Sequence, residues 1–324
     1  MKKNKLRILI LLLVISLLGG CTKYMKDGKN PVVNPKTGQR LVENILCQPS
    51  DKESIKIYKD KKVDIDKLKK CSEFTPFNSE YEGLGNQLFV KPLSWLIIKI
   101  GSIFKSYGLG LIIVTILIRL MLLPITIKSQ KQGKKLQEMQ PEIQKIDKKY
   151  EGKNDTKSMQ DKGLELTMLY QKNKINPFAA IMTPIFQIII LFAFFEAIQR
   201  VPAIFEDTFL IFDMAKTPAQ ALKHGNSLYL LLTALNIVIT YYSFKSLPNP
   251  DPNASGNKMA RMMVLFIGFT SLFMPTALNL YWITSSLVAI LQTAILNKEE
   301  KNPKVKGGKK WKSIFTKVKQ KTKP

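Results

Sequence analysis

Residues 107–127 read YGLGLIIVTILIRLMLLPITI, an apolar run broken by a single charge, Arg119. As a helix it extends about 30 Å, the thickness of a bilayer's hydrocarbon core, and neither a strand nor an ordinary core helix needs such length. A second run, FAAIMTPIFQIIILFAFF at 178–195, repeats the pattern. Such runs exclude a soluble enzyme built on one large core. They equally exclude a disordered basic chain, although 50 Lys and Arg against 24 Asp and Glu give the 324 residues a formal charge of +26. The basic residues lie in polar blocks between the apolar runs, so the fold class is an all-α polytopic membrane protein.

Working outward gives five transmembrane helices, at 107–127, 175–199, 225–246, 258–274 and 277–296, with Pro275 dividing the last two. The fourth is short and calls for local bilayer thinning or protein cover. Lys and Arg number 12 in the loop at 128–174, three at 245–261 and 11 in the tail at 297–324. The loop at 200–224 carries only Arg200, Lys216 and Lys223, offset by Glu206, Asp207 and Asp213. The positive-inside rule then makes 200–224 extracellular and places 128–174, the loop at 247–257 and the basic tail in the cytoplasm. Ahead of the first span, 86–106 sets Leu88, Trp95, Ile98 and Phe104 near one face and Lys91, Lys99 and Lys105 along the other. That pattern predicts an extracellular interfacial amphipathic helix.

The chain opens MKKNKLRILILLLVISLLGGC. A basic start, an apolar stretch too short to span and small residues before Cys21 resemble a lipoprotein signal, with a signal peptide at 1–20 and acyl chains such as palmitate on Cys21. The N-terminus is then lipid-anchored outside the bacterial cytoplasmic membrane, and 21–85 is an extracellular segment. Cys47 and Cys71 lie in it, 24 positions apart. They either close a disulfide or stand as free thiols in a loose linker; spacing does not choose. With one further Cys and one His there is no vocabulary for a metal site, and no cofactor is expected.

The loop at 128–174 is helical in composition on both sides of a break at 151–155. Leu136, Met139, Ile143 and Ile146 recur at helical spacing, and Leu164, Leu166, Met168 and Leu169 mark a partner, predicting a cytoplasmic helical hairpin. Arg119 demands more. A charge at helix centre costs about 2.5–3.5 kcal/mol on the insertion scale, so it faces a partner or a wet cavity, unless it snorkels to backbone carbonyls. Lys128 lies roughly 12 Å further along the helix, so snorkelling relieves it only partly. Glu196, the one acid within the spans, lies near the opposite membrane face and is rejected as a partner. Thr115, Gln187, Asn236, Asn279, Thr284, Ser285 and Gln292 are polar residues within the spans. Each alone reads as interhelical glue. With an unpaired Arg they read together as a hydrated groove. Tyr281 and Trp282 are either an interfacial aromatic pair or groove-facing rings.

These residues resemble one family. FVKPLSWLI, YGLGLIIVTILIRLMLLPI, MQPEIQKIDKKY, INPFAAIMTPIFQIIILFAFFEAI and ALNLYWITSSLVAILQT together are similar to the YidC family of membrane protein insertases, in its Gram-positive lipoprotein form, over residues 84 to 297. The resemblance implies five helices around a hydrophilic groove closed to the outside and open to the cytoplasm and to lipid, with Arg119, Gln187 and Trp282 on the family's groove positions; Thr115 and Tyr281 join them on the reading of the spans' own polar and aromatic residues. The segment between Cys21 and Gly85, longer than the family's usual one, departs from the pattern.

The implied partners are nascent membrane proteins, the Sec translocon and targeting machinery at the hairpin. The tail's 11 lysines suit ribosomal RNA, anionic lipid or both. No GxxxxGK[ST], HExxH or GxSxG motif is present, so no enzyme is expected. The rival class is a small solute transporter or channel, which would show repeats, broken helices or several paired charges.

Overall fold

The computed structural model describes residues 22–246 and 254–301, with side chains described except at 177–186, 254–260 and 299–301. The signal peptide, Cys21 and the tail beyond Lys301 lie outside the described residues. Helix dominates, as the sequence requires. Among the described residues, four segments are long and apolar enough to cross a membrane: Asn86–Phe104, Tyr107–Glu138, Ser227–Ser246 and Thr276–Lys298. Three of them fall on expected spans, and the first is the segment expected to lie in the interface.

The described residues open with a small folded unit. A two-stranded antiparallel hairpin, β1 (Lys26–Asp27) and β2 (Asn30–Pro31), precedes α1 (Lys52–Asp60), which Asp51 caps by accepting from the Ser54 amide at 2.9 Å. Met25, Leu41, Val42, Ile45, Tyr58 and Ile65 form its core, and burial pushes the Tyr58 phenol up. Cys47 is disulfide-bonded to Cys71 beside a short helical turn at Cys71–Glu73.

A turn at Asn86–Val90 leads into α2 (Lys91–Phe104), followed at once by α3 (Tyr107–Glu138). The two cross closely at a glycine contact. A Cβ on Gly110 would stand 2.7 Å from the Gly101 amide nitrogen and 2.8 Å from the Ile97 carbonyl, so no larger residue fits there. The face of α2 differs from the expected one: Lys91 is fully buried and donates to Gln87 Oε1 at 3.0 Å and to the Glu80 carbonyl, while Leu88 and Phe104 point outward. Ion-dipole bonds within the preceding turn outweigh the simple apolar-inside arrangement for this lysine.

Helix α3 has 32 residues, about 48 Å, and passes without a break through the boundary expected at 127. The hairpin therefore starts as its extension. Helix α4 (Gln140–Lys149) is set off at Met139 ahead of Pro141, and α5 (Thr156–Lys172) returns antiparallel after a turn. Met139, Ile143 and Ile175 are buried between the arms with Leu136, Leu166 and Leu169. Lys162 pairs with Asp147 at 2.8 Å, and Lys149 with Glu165.

Helix α6 (Pro177–Arg200) returns through the bundle to α7 (Pro202–Phe205). A hairpin, β3 (Thr208–Phe209) with β4 (Phe212–Asp213), and α8 (Pro218–Lys223) cover that end. After a turn at Ser227–Tyr229 come α9 (Leu230–Ser246), α10 (Ala254–Ser271) and α11 (Thr276–Lys301). Helix α11 packs on α9 and α3, and α6 packs on α3. The largest apolar cluster joins Leu93, Ile97, Leu111, Val114, Phe194, Ile198 and Leu278 near the end that carries the disulfide-bonded unit.

Arg200 is not a loop charge. It is the last residue of α6 and fully buried, donating to the Asn44 carbonyl at 2.6 Å and to both carboxylate oxygens of Glu82 at 2.7 and 2.6 Å. Cation at a helix C-terminus and the charge-assisted pair from Nη2 act in the same sense, although Nη1 is buried with no hydrogen-bond partner among the described residues. The Leu46 amide donates to the Arg200 carbonyl at 2.8 Å, and Glu206 accepts from the Ser50 and Asp51 amides at 2.8 and 3.0 Å. The small unit is thereby fastened to the closed end of the bundle.

Candidate functional site

Packing along α3 changes abruptly. Gly108, Gly110, Leu111, Val114 and Thr115 are buried, and then no residue from 116 to 128 is. Helix α6 shows the same division: Ala193, Phe194 and residues 197–200 are buried, whereas residues 187–192 are not. The bundle is solid at the end under the disulfide-bonded unit and less covered along 116–128 of α3, beyond which Ser129 and Gln130 are buried again.

Arg119 sits just past the change, half-buried. Its Nε donates to Ser285 Oγ on α11 at 3.0 Å, and Nη2 reaches the same hydroxyl. No carboxylate pairs with it among the described residues, and its other N–H groups are not sealed in. A guanidinium has five donors, so one serine leaves most of its capacity to whatever occupies the adjoining space. Glu196, which the sequence reading rejected as a partner, lies instead within the electrostatic reach of Arg200 and Glu82.

From Arg119 a line of polar contacts runs along the α3–α11 seam toward the hairpin. Gln292 donates to Thr126, Gln130 donates to Thr293 at 3.4 Å, and Lys134 donates to Asn297 at 2.7 Å. Because the partners keep a nearly constant sequence offset, the helices run parallel. Positions 119, 126, 130 and 134 share one face of α3, spanning roughly 22 Å. Of these residues the sequence analysis singled out Arg119, Ser285 and Gln292; Thr126, Gln130 and Lys134 follow from Arg119 at helical spacing, a signal that was there to find.

The remaining candidates divide. Gln187 on α6 and Trp282 on α11 are half-buried. Thr115 is 1% exposed and donates to the Leu111 carbonyl of its own helix at 2.7 Å; Tyr281 is 2% exposed and stacks on Phe194 at 4.4 Å. Both lie at the packed end, and Tyr281 also comes within electrostatic reach of Arg119. Asn236 donates to Asn279 at 2.6 Å, and Asn279 donates to the Ser271 and Met274 carbonyls at 3.1 and 3.0 Å, so this pair ties α9, α10 and α11 together. Thr284 bonds back to Leu280 at 2.8 Å within α11.

A helical bundle with four apolar candidate spans among the described residues, and an arginine within one of them, is a multi-pass membrane protein. The 60Kd inner membrane protein family profile matches residues 99–304. "Membrane protein insertase YidC" of Oceanobacillus iheyensis is 36% identical over 233 residues, covering 71% of this chain and 91% of that protein. "Membrane protein insertase YidC 2" of Bacillus anthracis is 34% identical over 244 residues, covering 74% and 90%. The solved structure of an active YidC insertase with its first transmembrane domain resolved is 20% identical, with a TM-score of 0.47, covering 76% of this chain and 50% of that one. This chain belongs to the 60Kd inner membrane protein family.

Proposed function

We propose that this chain is a membrane protein insertase and chaperone that receives nascent membrane proteins on the polar seam of α3 and α11 and releases their apolar segments sideways into lipid. The carrying observation is that no residue from 116 to 128 is buried while Arg119, the one charge between Tyr107 and Ile127, stands in that stretch, bonded to a serine and not to an acid. A polar flank of a substrate pays for dehydration over the whole hydrocarbon slab unless water reaches part of the way. An open, hydrated stretch below the sealed end shortens that distance.

Arg119 attracts an acidic substrate tail by about 4 kcal/mol at 4 Å and an effective dielectric near 20, enough for transient capture. Gln187 and Trp282 supply a hydrogen-bonding and an aromatic wall. The apolar helix then partitions into lipid at about 0.3–0.6 kcal/mol per favourable residue, which drives release without nucleotide hydrolysis. Cys21 carries the lipid anchor, the disulfide-bonded unit is outside, and five spans place the hairpin and the C-terminus in the cytoplasm. Targeting machinery meets the hairpin, the basic tail meets ribosomal RNA and anionic lipid, and substrates come with or without the Sec translocon.

The test is insertion of a single-span substrate with a short acidic outer tail, in cells depleted of their own insertase and supplied with this chain. Rescue is expected; no rescue by a stably expressed protein would sink the reading.

A further inference from the structure

Between the disulfide-bonded unit and the solid end of the bundle lies a cavity of about 460 Å³, within the range of small-molecule sites. Its two walls come from different parts of the chain. Arg40 belongs to the small unit and Lys223 to the end of α8, and both are exposed cations with no ion pair among the described residues. Phe195, Phe273 and Leu278 give it an apolar floor, and no carboxylate lines it. Gln199 on α6 lines it too. That residue is only 6% exposed, yet its amide has no hydrogen bond among the described residues and is not sealed off, so the cavity is where its partner must sit.

The cavity exists only while the unit is docked. Gln220 donates to the Gly38 carbonyl at 2.9 Å along its border, and Gly38, at φ +71°, has no room for a Cβ, which would fall 2.3 Å from the Gln220 amide. On the lipid side Phe273 is 59% exposed and stands edge-on to the equally exposed Phe269, with 5.2 Å between ring centroids. Cations and an amide above, aromatic rings leading down the outside of α10 below: the geometry matches an amphiphile with an anionic head and a hydrocarbon tail.

We propose that this cavity binds the phosphate headgroup of an anionic phospholipid of the outer leaflet between Arg40, Lys223 and Gln199, with an acyl chain against Phe273 and Phe269. The inference rests on the reading that the disulfide-bonded unit lies outside the membrane. A docked lipid would tie the unit to the bundle through bonds to both walls.

The experiment is native mass spectrometry of the full chain released from micelles containing phosphatidylglycerol. The wild type is expected to retain one phosphatidylglycerol, and Arg40→Gln/Lys223→Gln to retain roughly tenfold less. Both side chains are on the surface, so the fold is not at risk. Lys52→Gln/Lys56→Gln, which removes two exposed lysines elsewhere on the same unit, retains as much as wild type. Phosphatidylcholine, whose own cation offsets its phosphate, is retained less, and glycerol 3-phosphate fails to displace the lipid. Equal retention by the first variant and wild type, an equal loss in the control, no preference between the two lipids, or displacement by glycerol 3-phosphate would each overturn the proposal. Retention is read without any insertion assay, so failure here leaves the insertase reading standing, and failure of insertion leaves this site standing.

Discussion

Above Thr115 the first long helix is wedged against its neighbours, with Leu111 and Val114 showing no exposed surface; from Ile116 to Lys128 no residue is buried. The two stretches have similar apolar composition and opposite surroundings. One is held by shape, through glycine contacts and interlocked aliphatic side chains. The other carries a polar line to α11, with Ile118 still packed on the core and no residue fully covered. Hydrophobicity alone therefore places both in the membrane, and only packing tells the structural end from the working end.

Mutations should divide along the same boundary, large losses of stability above it and losses of function below. Arg200→Ala removes the bond to Asn44 that joins the small unit to α6 and leaves Glu82 without its cation; the expected destabilisation is about 3 kcal/mol, toward the low end for a buried pair because Glu82 keeps some solvent. Thermal unfolding of the purified chain measures it. Cys47→Ser/Cys71→Ser reopens a loop of 24 residues and should cost the small unit about 2–4 kcal/mol, seen as new protease cleavage within 22–85 while the bundle stays resistant. Gly110→Ala forces α2 from α3 and is expected to cost about 1–3 kcal/mol by the same unfolding measurement. Thr126→Val, on the open side, removes one interhelical hydrogen bond worth about 0.6 kcal/mol and should barely move the unfolding midpoint. A loss from Thr126→Val as large as that from Gly110→Ala would erase the distinction between the two ends.

Much of this was legible in the residues. Long apolar runs, the lysine-rich loops and the solitary Arg119 point to a polytopic protein; of the apolar stripes expected to pair in the hairpin, Met139, Ile143, Leu166 and Leu169 meet, while Leu164 and Met168 are exposed. What the residues conceal is burial that depends on distant chain. Lys91 looks like the wet face of an amphipathic helix, and its true partners, Glu80 and Gln87, are supplied by a turn whose shape no periodicity reveals. Arg200 looks like a loop charge because Glu82 and Asn44 are more than a hundred positions away. Thr115 reads as a groove residue by polarity alone, but a threonine that bonds back to its own helix satisfies its hydroxyl anywhere. Cys47 and Cys71 could not be paired from spacing, since bonding requires that the folded unit bring the two backbones together.

The account turns on Arg119 acting on the substrate rather than on the fold. The direct measurement is insertion of the acidic-tailed single-span substrate by Arg119→Ala and Arg119→Lys, alongside the unfolding midpoint of each purified variant. Lys should support insertion and Ala should not, with both midpoints close to wild type, because a lone bond to Ser285 contributes little to stability. Insertion by Arg119→Ala at the wild-type level, or an Ala variant that fails only because it unfolds, would contradict the central claim.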